Sequence, residues 1–461
     1  MKRTLKVSIT VILAFMLAAG CLPLYAAAKG EFEILNPYEN VDWARHKPYR
    51  TQLHTHTTAS DGKQTMAEAL ENYYQHGYDF VAVTDHGVVD RGWTKPNHIP
   101  FYGVPDKSWT EPVYKLFSKL FGSQKIQGLS QARLQEMAGG AGRGGRGMLR
   151  VPFGIELNPL GHSVELNSWF SDWGNFQIMP GGDYEYSFPA KHVQKAGGLA
   201  MVNHPSGSSF NSGISFDEIY EGENYGYVNK VQALFEKYSS LLGIELARNA
   251  KDLKLWDTLL ANLAPSGRNV FGITTSDSHG AATVDDGWIW ALMEGQTVDN
   301  LRKSLEAGAF FSGVRSVGHP AILAALGAAL GRDFGTAWSA PAGLPEPMVT
   351  GIAAGAGAIS IEAENHEAIL WISNGIVIAA GGKLSLSEHI GELGSYVRAE
   401  VWGEGGMLYT QPFLLSYEGM PAGRPVPSDY VDQGRSIVVI RTLLYPFLRI
   451  LDGIWKIICA L

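Results

Sequence analysis

From Tyr49 onward, short strand-like runs alternate with longer stretches of mixed polarity. The runs cover residues 50–53, 80–83, 151–155, 162–166, 199–202, 242–246 and 270–273. Each is too short for a helix and is bounded by polar or turn-forming residues, which is how a buried strand reads. Between them, residues 66–75, 188–196, 230–241 and 251–263 read as helices. Alternating strands and helices predict an α/β fold with a mainly parallel sheet. Seven such runs favour a closed or nearly closed barrel over an open sheet. A parallel barrel carries its chemistry at the C-terminal ends of its strands.

Beyond residue 318 the pattern changes. Residues 321–330 read as a helix, and residues 358–362, 368–372, 376–378, 396–401 and 412–415 as short strands separated by turns. These predict a small β-rich C-terminal domain. The expected division is a targeting segment over residues 1–28, a barrel over 29–318, the β-rich domain over 319–425 and a tail over 426–461. Residues 91–150 interrupt the alternation. Their glycine-rich part, residues 139–147, fits neither a P-loop nor a dinucleotide fingerprint. It is expected to be a flexible surface loop and a candidate lid over the active-site face.

Composition narrows the function. Of 461 residues, 45% are hydrophobic and 18% charged, so a packed globular body is expected. A net charge of -8 argues against a protein that grips an extended nucleic acid, which needs dense Lys and Arg. It leaves small ester substrates open, including phosphoesters. At the N-terminus, Lys2, Arg3 and Lys6 precede an apolar stretch over residues 7–20, then Pro23 and the small residues Ala26, Ala27 and Ala28. This pattern predicts a signal peptide cleaved near Ala28 and an exported protein. The alternative is a lipoprotein anchored at Cys21, for which Ala18 is a poor fit. Cys21 and Cys459 are the only cysteines, so metal ligands would have to be His, Asp and Glu. In the tail, Arg441, Arg449, Asp452 and Lys456 fall within an arc of about 80° on a helix. That predicts an amphipathic helix, lying on a membrane surface or packed against the body.

The chemistry gathers where strands are expected to end. The first run is followed by His54-x-His56 and then Ser60-Asp61-Gly62. The second is followed by Thr84-Asp85-His86. The third ends on Gly154-Ile155-Glu156, with Gly161-His162 close behind. The fifth leads into Asn203-His204-Pro205, and the seventh into Ser276-Asp277-x-His279. Alternate residues of an extended chain share a side, so His54 and His56 can reach one ion, as can Asp277 and His279.

In order and spacing, these motifs resemble the PHP (polymerase and histidinol phosphatase) metalloesterase superfamily. The resemblance covers about residues 49–317, and the β-rich part is similar to exported PHP metallohydrolases, a branch that includes carbamate-cleaving enzymes. It implies a distorted seven-stranded β/α barrel holding up to three zinc, manganese or iron ions. It places one ion on His54, His56, Glu156 and Asp277. A second would lie on Glu156, His162 and His204, and a third on Asp61, His86 and His279. Glu156 would bridge, and the ions would activate water for attack on an ester. Asp85, Glu156 and His279 are the candidate catalytic residues, with Asp85 orienting His86 or a neighbour. Arg91, Arg248 and Arg315 are candidates for holding a substrate phosphate. An aryl-carbamate pocket would draw instead on Trp93, Phe101, Tyr102, Trp169, Phe170 and Trp173. The partner expected is a small-molecule ester.

Overall fold

The computed structural model describes residues 32–96, 127–157, 164–174, 187–205, 226–246, 250–341, 343–426, 446–447, 449–450 and 453–454. The signal segment with Cys21, the tail helix, His162 and Arg248 lie outside these residues, apart from a few positions of the tail.

The site is built on eight short strands. They are β1 (Lys47–Gln52), β2 (Phe80–Val81), β3 (Leu149–Arg150), β4 (Ile155–Leu157), β5 (Leu166–Trp169), β6 (Leu199–Val202), β7 (Leu241–Glu245) and β8 (Phe271–Ile273). β1, β2 and β3 pair in parallel, as do β6, β7 and β8. β5 pairs antiparallel with both β4 and β6. Chain length explains the reversal. A parallel crossover needs about a dozen residues, and the link between β4 and β5 is shorter than that.

The fold is mixed α/β, but the expected closed barrel is not what the ladders form. β4 to β8 make one open sheet, and β1 to β3 belong to a larger one. Two isolated parallel bridges, Thr55 to Ser278 and His86 to Glu156, are where the two sheets meet. Both bridges fall among the candidate ligands.

The larger sheet continues from β1 into β9 (Gly287–Met293) and β10 (Phe310–Val314), each antiparallel to its neighbour. After β11 (Ala368–Ser373) come β12 (Tyr396–Gly403) and β13 (Gly406–Tyr409), and β13 pairs with β10. The β-rich C-terminal part therefore shares a sheet with the strands that carry His54 and His56. Its apolar side, including Trp371, Val397, Leu408 and Phe413, packs with Phe311 in one core.

Among the described residues, seven helices flank the sheets: α1 (Met66–Gln75), α2 (Gln131–Ala138), α3 (Ser187–Lys195), α4 (Gly226–Lys237), α5 (Ala250–Leu263), α6 (Val298–Ala307) and α7 (Pro320–Leu330). α1 shows why its residues form a helix. Thr65 caps it, with Glu68 completing a capping box. Met66, Ala69, Leu70, Tyr73 and Tyr74 then fall on one face and are buried.

The glycine-rich loop is not a lid. Arg143 and Arg146 clamp it to Asp79, with Arg146 Nη2 donating to Asp79 Oδ2 at 2.6 Å. Asp79 immediately precedes β2, at the end opposite Asp85 and His86. The carboxylate of Asp79 is fully buried and also accepts from the Arg50 N–H at 2.7 Å. Charge-assisted bonds of this kind are strong when desolvated. Asp79→Ala is expected to lower stability by about 2–4 kcal/mol, read as a lower denaturant midpoint at unchanged slope. A loss under ~0.5 kcal/mol would mean the clamp is only a surface contact.

Candidate metal centre

Strand geometry delivers the ligands. β1 hands over to His54 and His56, both fully buried. Gly62 lets the following loop fold back, since a Cβ there would sit 2.6 Å from the His56 backbone. Gly154 does the same for β4. A Cβ at that position would lie 2.3 Å from the Val83 carbonyl, so only glycine allows Glu156 to come alongside His86. Asp277 adopts a left-handed backbone, φ 44°, uncommon for a residue with a side chain. Such strain is tolerated where the surroundings over-determine it, which fits a position that must aim a carboxylate.

Eight of the nine proposed ligands can be placed, and they fall into three overlapping groups. His56, Asp61, His86 and His279 form one, His54, His56 and Asp277 a second, and His54, Glu156 and His204 a third. The grouping differs from the expected one in its overlaps, because His54 and His56 each serve two groups. Glu156 Oε2 lies 2.9 Å from His86 Nδ1 and 3.2 Å from His56 Nε2, and its Oε1 lies 3.2 Å from His204 Nε2. Asp277 Oδ1 is 3.2 Å from the Nε2 atoms of both His54 and His56. Asp61 Oδ2 is 3.3 Å from His86 Nε2 and 3.4 Å from His279 Nε2.

These spacings fit ions. Ligands about 2.0–2.1 Å from a tetrahedral ion stand about 3.4 Å from one another. Glu156 Oε2 and Asp277 Oδ1 are buried and make no hydrogen bond, although imidazole nitrogens face them. His54 Nε2 and His56 Nε2 stand 3.0 Å apart, each turned toward the same space. Buried oxygens without donors are costly unless something else satisfies them. A divalent cation is the group that this donor set suits. His, Asp and Glu together accommodate zinc, manganese or iron.

The electrostatics agree. Burial disfavours charge on His54, but Asp277, Glu245 and Glu156 outweigh it and hold its pKa well above the usual value. Burial is likewise overcome at His86, pushed up to about 11 by Glu156 and Asp61, and at His204, pushed up to about 9 by Glu156 and Glu245. Glu156 is buried, yet the imidazoles of His54, His86 and His204 hold its pKa well below the ordinary range. Without metal, His54, His86 and His204 are therefore protonated at neutral pH, and cation binding must displace those protons. For His204, the raised pKa stabilises the metal-free fold fully below ~6.5, and this is lost as pH rises through about 9. Metal competes best where that pairing weakens. Zinc affinity is expected to rise at least tenfold from pH 6 to pH 8, with proton release measured in parallel by calorimetry in two buffers. Affinity that is flat over this range would contradict protonated ligands.

The other expected residues settle differently. Asp85 does not face His86. Its oxygens accept from the Thr57 N–H, the Thr57 hydroxyl and the Ser60 hydroxyl, each at 2.7 Å. It thus pins the loop that presents Asp61. His279 lies at the rim, its side chain 39% exposed, with Nδ1 against the Asp277 carbonyl and Nε2 toward Asp61. Arg315 is held by Asp285 and Glu346 and lies over Trp288, while Arg91 pairs with Asp172 at 2.6 Å. Neither pairs with a ligand carboxylate. Trp93, Trp169 and Trp173 are buried, and the Trp169 indole donates to the Leu53 carbonyl at 3.0 Å. Phe101 and Tyr102 lie outside the described residues.

Two acceptors and one donor were not anticipated in these roles. Glu245 meets His54 Nδ1 at 3.0 Å, Glu165 lies 3.4 Å from His204 Nδ1, and Asn203 donates to Glu156 Oε1 at 2.8 Å. The one sequence signal for Glu245 was an acid inside an otherwise apolar run.

No family model matches this sequence, and no match is found among curated proteins. Solved structures do resemble it. A two-domain protein from Bacteroides vulgatus, described as containing a predicted PHP-like metal-dependent phosphoesterase, is 12% identical with a TM-score of 0.38, over 85% of this chain and 91% of that one. PHP-like proteins are among its structural neighbours. The lesion-specific endonuclease PfuEndoQ from Pyrococcus furiosus is 12% identical with a TM-score of 0.32, over 56% of each chain. PsfC from Pseudomonas syringae is 16% identical with a TM-score of 0.29, over 53% of this chain and 82% of that one. With scores this low, the chemistry rests on the side chains.

Proposed function

We propose that this protein is a PHP-type metal-dependent hydrolase, acting as a phosphoesterase on small phosphate mono- or diesters, nucleotide or oligonucleotide ends among them. The observation that carries the proposal is the convergence of His54, His56, Asp61, His86, Glu156, His204, Asp277 and His279 on one set of shared positions. In this reading the barrel expected from the sequence is a distorted one, and the N-terminal segment sends the protein out of the cytoplasm.

Divalent ions held there supply positive charge that polarises an ester and acidifies water. The chain's own residues do the rest. Glu156 turns Oε2 toward His54, His56 and His86 and Oε1 toward His204, and so ties His204 to the ligands that follow β1 and β2. Asp85 fixes the loop that carries Asp61. His279 and Asp61, the most exposed ligands, mark the side from which substrate enters. Trp169 and the buried wall behind His54 keep water off the other side.

Charge decides between substrates. Asp61, Glu156, Glu165, Glu245 and Asp277 surround the centre, and among the described residues no Lys or Arg pairs with them. Three divalent ions would leave the pocket net cationic, as a phosphoester requires. Two would leave it net anionic, which suits a neutral carbamate or carboxylic ester. That no cationic side chain pairs with the ligands among the described residues is the observation that favours this second reading. Assays of p-nitrophenyl phosphate, bis-p-nitrophenyl phosphate and 1-naphthyl carbamate, each with zinc, manganese and iron, separate the two. Phosphoester turnover is expected. Turnover of the carbamate alone would replace the first reading with the second.

A further inference from the structure

The Glu245 carboxylate, at the C-terminal end of β7, is 2% exposed and belongs to none of the three ligand groups. It nevertheless touches three strand ends. Its Oε1 faces His54 Nδ1 at 3.0 Å and accepts the Thr275 hydroxyl. Its Oε2 accepts the His204 backbone N–H at 2.7 Å. His54 follows β1, His204 follows β6, and Thr275 follows β8, two residues before Asp277.

We infer that Glu245 is the positioning residue of the metal centre: it fixes the tautomer of His54 and the place of His204 with one carboxylate. The inference rests on the metal centre proposed above. An ionised carboxylate can only accept hydrogen bonds. The hydrogen between it and His54 must therefore sit on Nδ1. Once an ion displaces the other ring proton, Nε2, 3.2 Å from Asp277 Oδ1, would turn its lone pair to the ligand cluster. An imidazole held in this way binds an ion through one nitrogen in one orientation, and loss of such a partner costs about 10–100-fold in metal affinity. The second oxygen sets where the His204 backbone lies and so where its ring meets Glu156.

Both oxygens are needed as acceptors, which makes glutamine a sharp probe. A Gln side chain offers one oxygen and one NH2, and the NH2 would face either the His54 ring hydrogen or the His204 N–H. Asp keeps both acceptors but withdraws them by one methylene, so it should restore only part of the effect.

The test uses the full chain with zinc as the probe. Zinc competition against a chromophoric chelator is run on wild type, Glu245→Gln, Glu245→Asp and Ile244→Val. Ile244 is a buried neighbour that belongs to the hydrophobic core and controls for general loosening of β7. Glu245→Gln is expected to weaken zinc binding about 10–100-fold, Glu245→Asp less, and Ile244→Val less than about twofold. In zinc-loaded wild type, 15N spectra of the histidine side chains should show His54 protonated at Nδ1 and ligated through Nε2. That measurement decides the matter even if the variants fail to fold. Zinc binding by Glu245→Gln within twofold of wild type, or ligation of His54 through Nδ1, overturns the inference and leaves the metal centre standing. Wild type that binds no zinc overturns the centre and this inference with it.

Discussion

Replacing Glu156 with alanine is expected to abolish hydrolysis and strip most of the bound metal. Loss of a residue that only orients a ligand costs about 10–100-fold. Glu156 should exceed that, because its Oε2 lies within 3.5 Å of His54, His56 and His86 while its Oε1 serves His204. Its removal unties His204 from His54, His56 and His86. It also leaves several imidazoles facing one another without the carboxylate that now holds His86 at about 11. Metal content by plasma emission and activity should therefore fall together, by more than about 100-fold for activity. Glu156→Asp should recover little, because Gly154 already brings the backbone as close as contact allows. A Glu156→Ala protein with full metal content and undiminished turnover would show that this carboxylate is not shared between ions.

The largest expected effect on stability lies away from the site. Arg398 is buried on β12 and pairs in a fork with Asp257 of α5, Nε to Oδ1 at 2.9 Å and Nη2 to Oδ2 at 3.0 Å. Its Nη1 reaches Glu400 at 2.5 Å, and its guanidinium lies 4.7 Å from the Trp256 ring. The Tyr396 hydroxyl also donates to Asp257, at 2.7 Å. This network fastens the C-terminal strands to a helix of the site-bearing half. Arg398→Met removes the cation that pairs with Asp257 and Glu400 and leaves two buried carboxylates, which costs about 3–5 kcal/mol. Arg398→Lys should recover little of it, because an ammonium cannot reproduce the fork. Metal bound per folded molecule should not change. Chemical denaturation with parallel metal analysis reads both quantities. Unchanged stability in Arg398→Met would show that Asp257 and Glu400 find water or protonate at little cost.

The clustering of the candidate ligands was legible because it follows local rules. His54 and His56, or Asp277 and His279, sit two residues apart at a strand end, and that spacing alone puts both side chains on one side. The helices over residues 66–75 and 251–263 were legible for a similar reason: capping and apolar spacing are written within one segment. What could not be read depends on partners far apart in sequence. Glu245 sits in a run that reads as buried strand, and its role appears only when His54, 191 residues away, folds against it. Arg143 and Arg146 lie in a stretch whose glycines suggest mobility, and nothing local points to Asp79 as their anchor. β9 and β10 are buried along nearly their whole length, so they lack the polar alternation that marks a half-exposed strand. Closure was over-read, because a count of seven strands says nothing about the turn that sends β5 back antiparallel.

The central claim is that the histidine and carboxylate cluster holds ions that the reaction needs. Metal analysis of the purified full chain, followed by chelation and add-back with turnover measured at each step, tests it most directly. About two to three divalent ions per chain are expected, with hydrolysis lost on chelation and restored by zinc, manganese or iron. Full hydrolysis in a chelated sample free of metal would contradict the account.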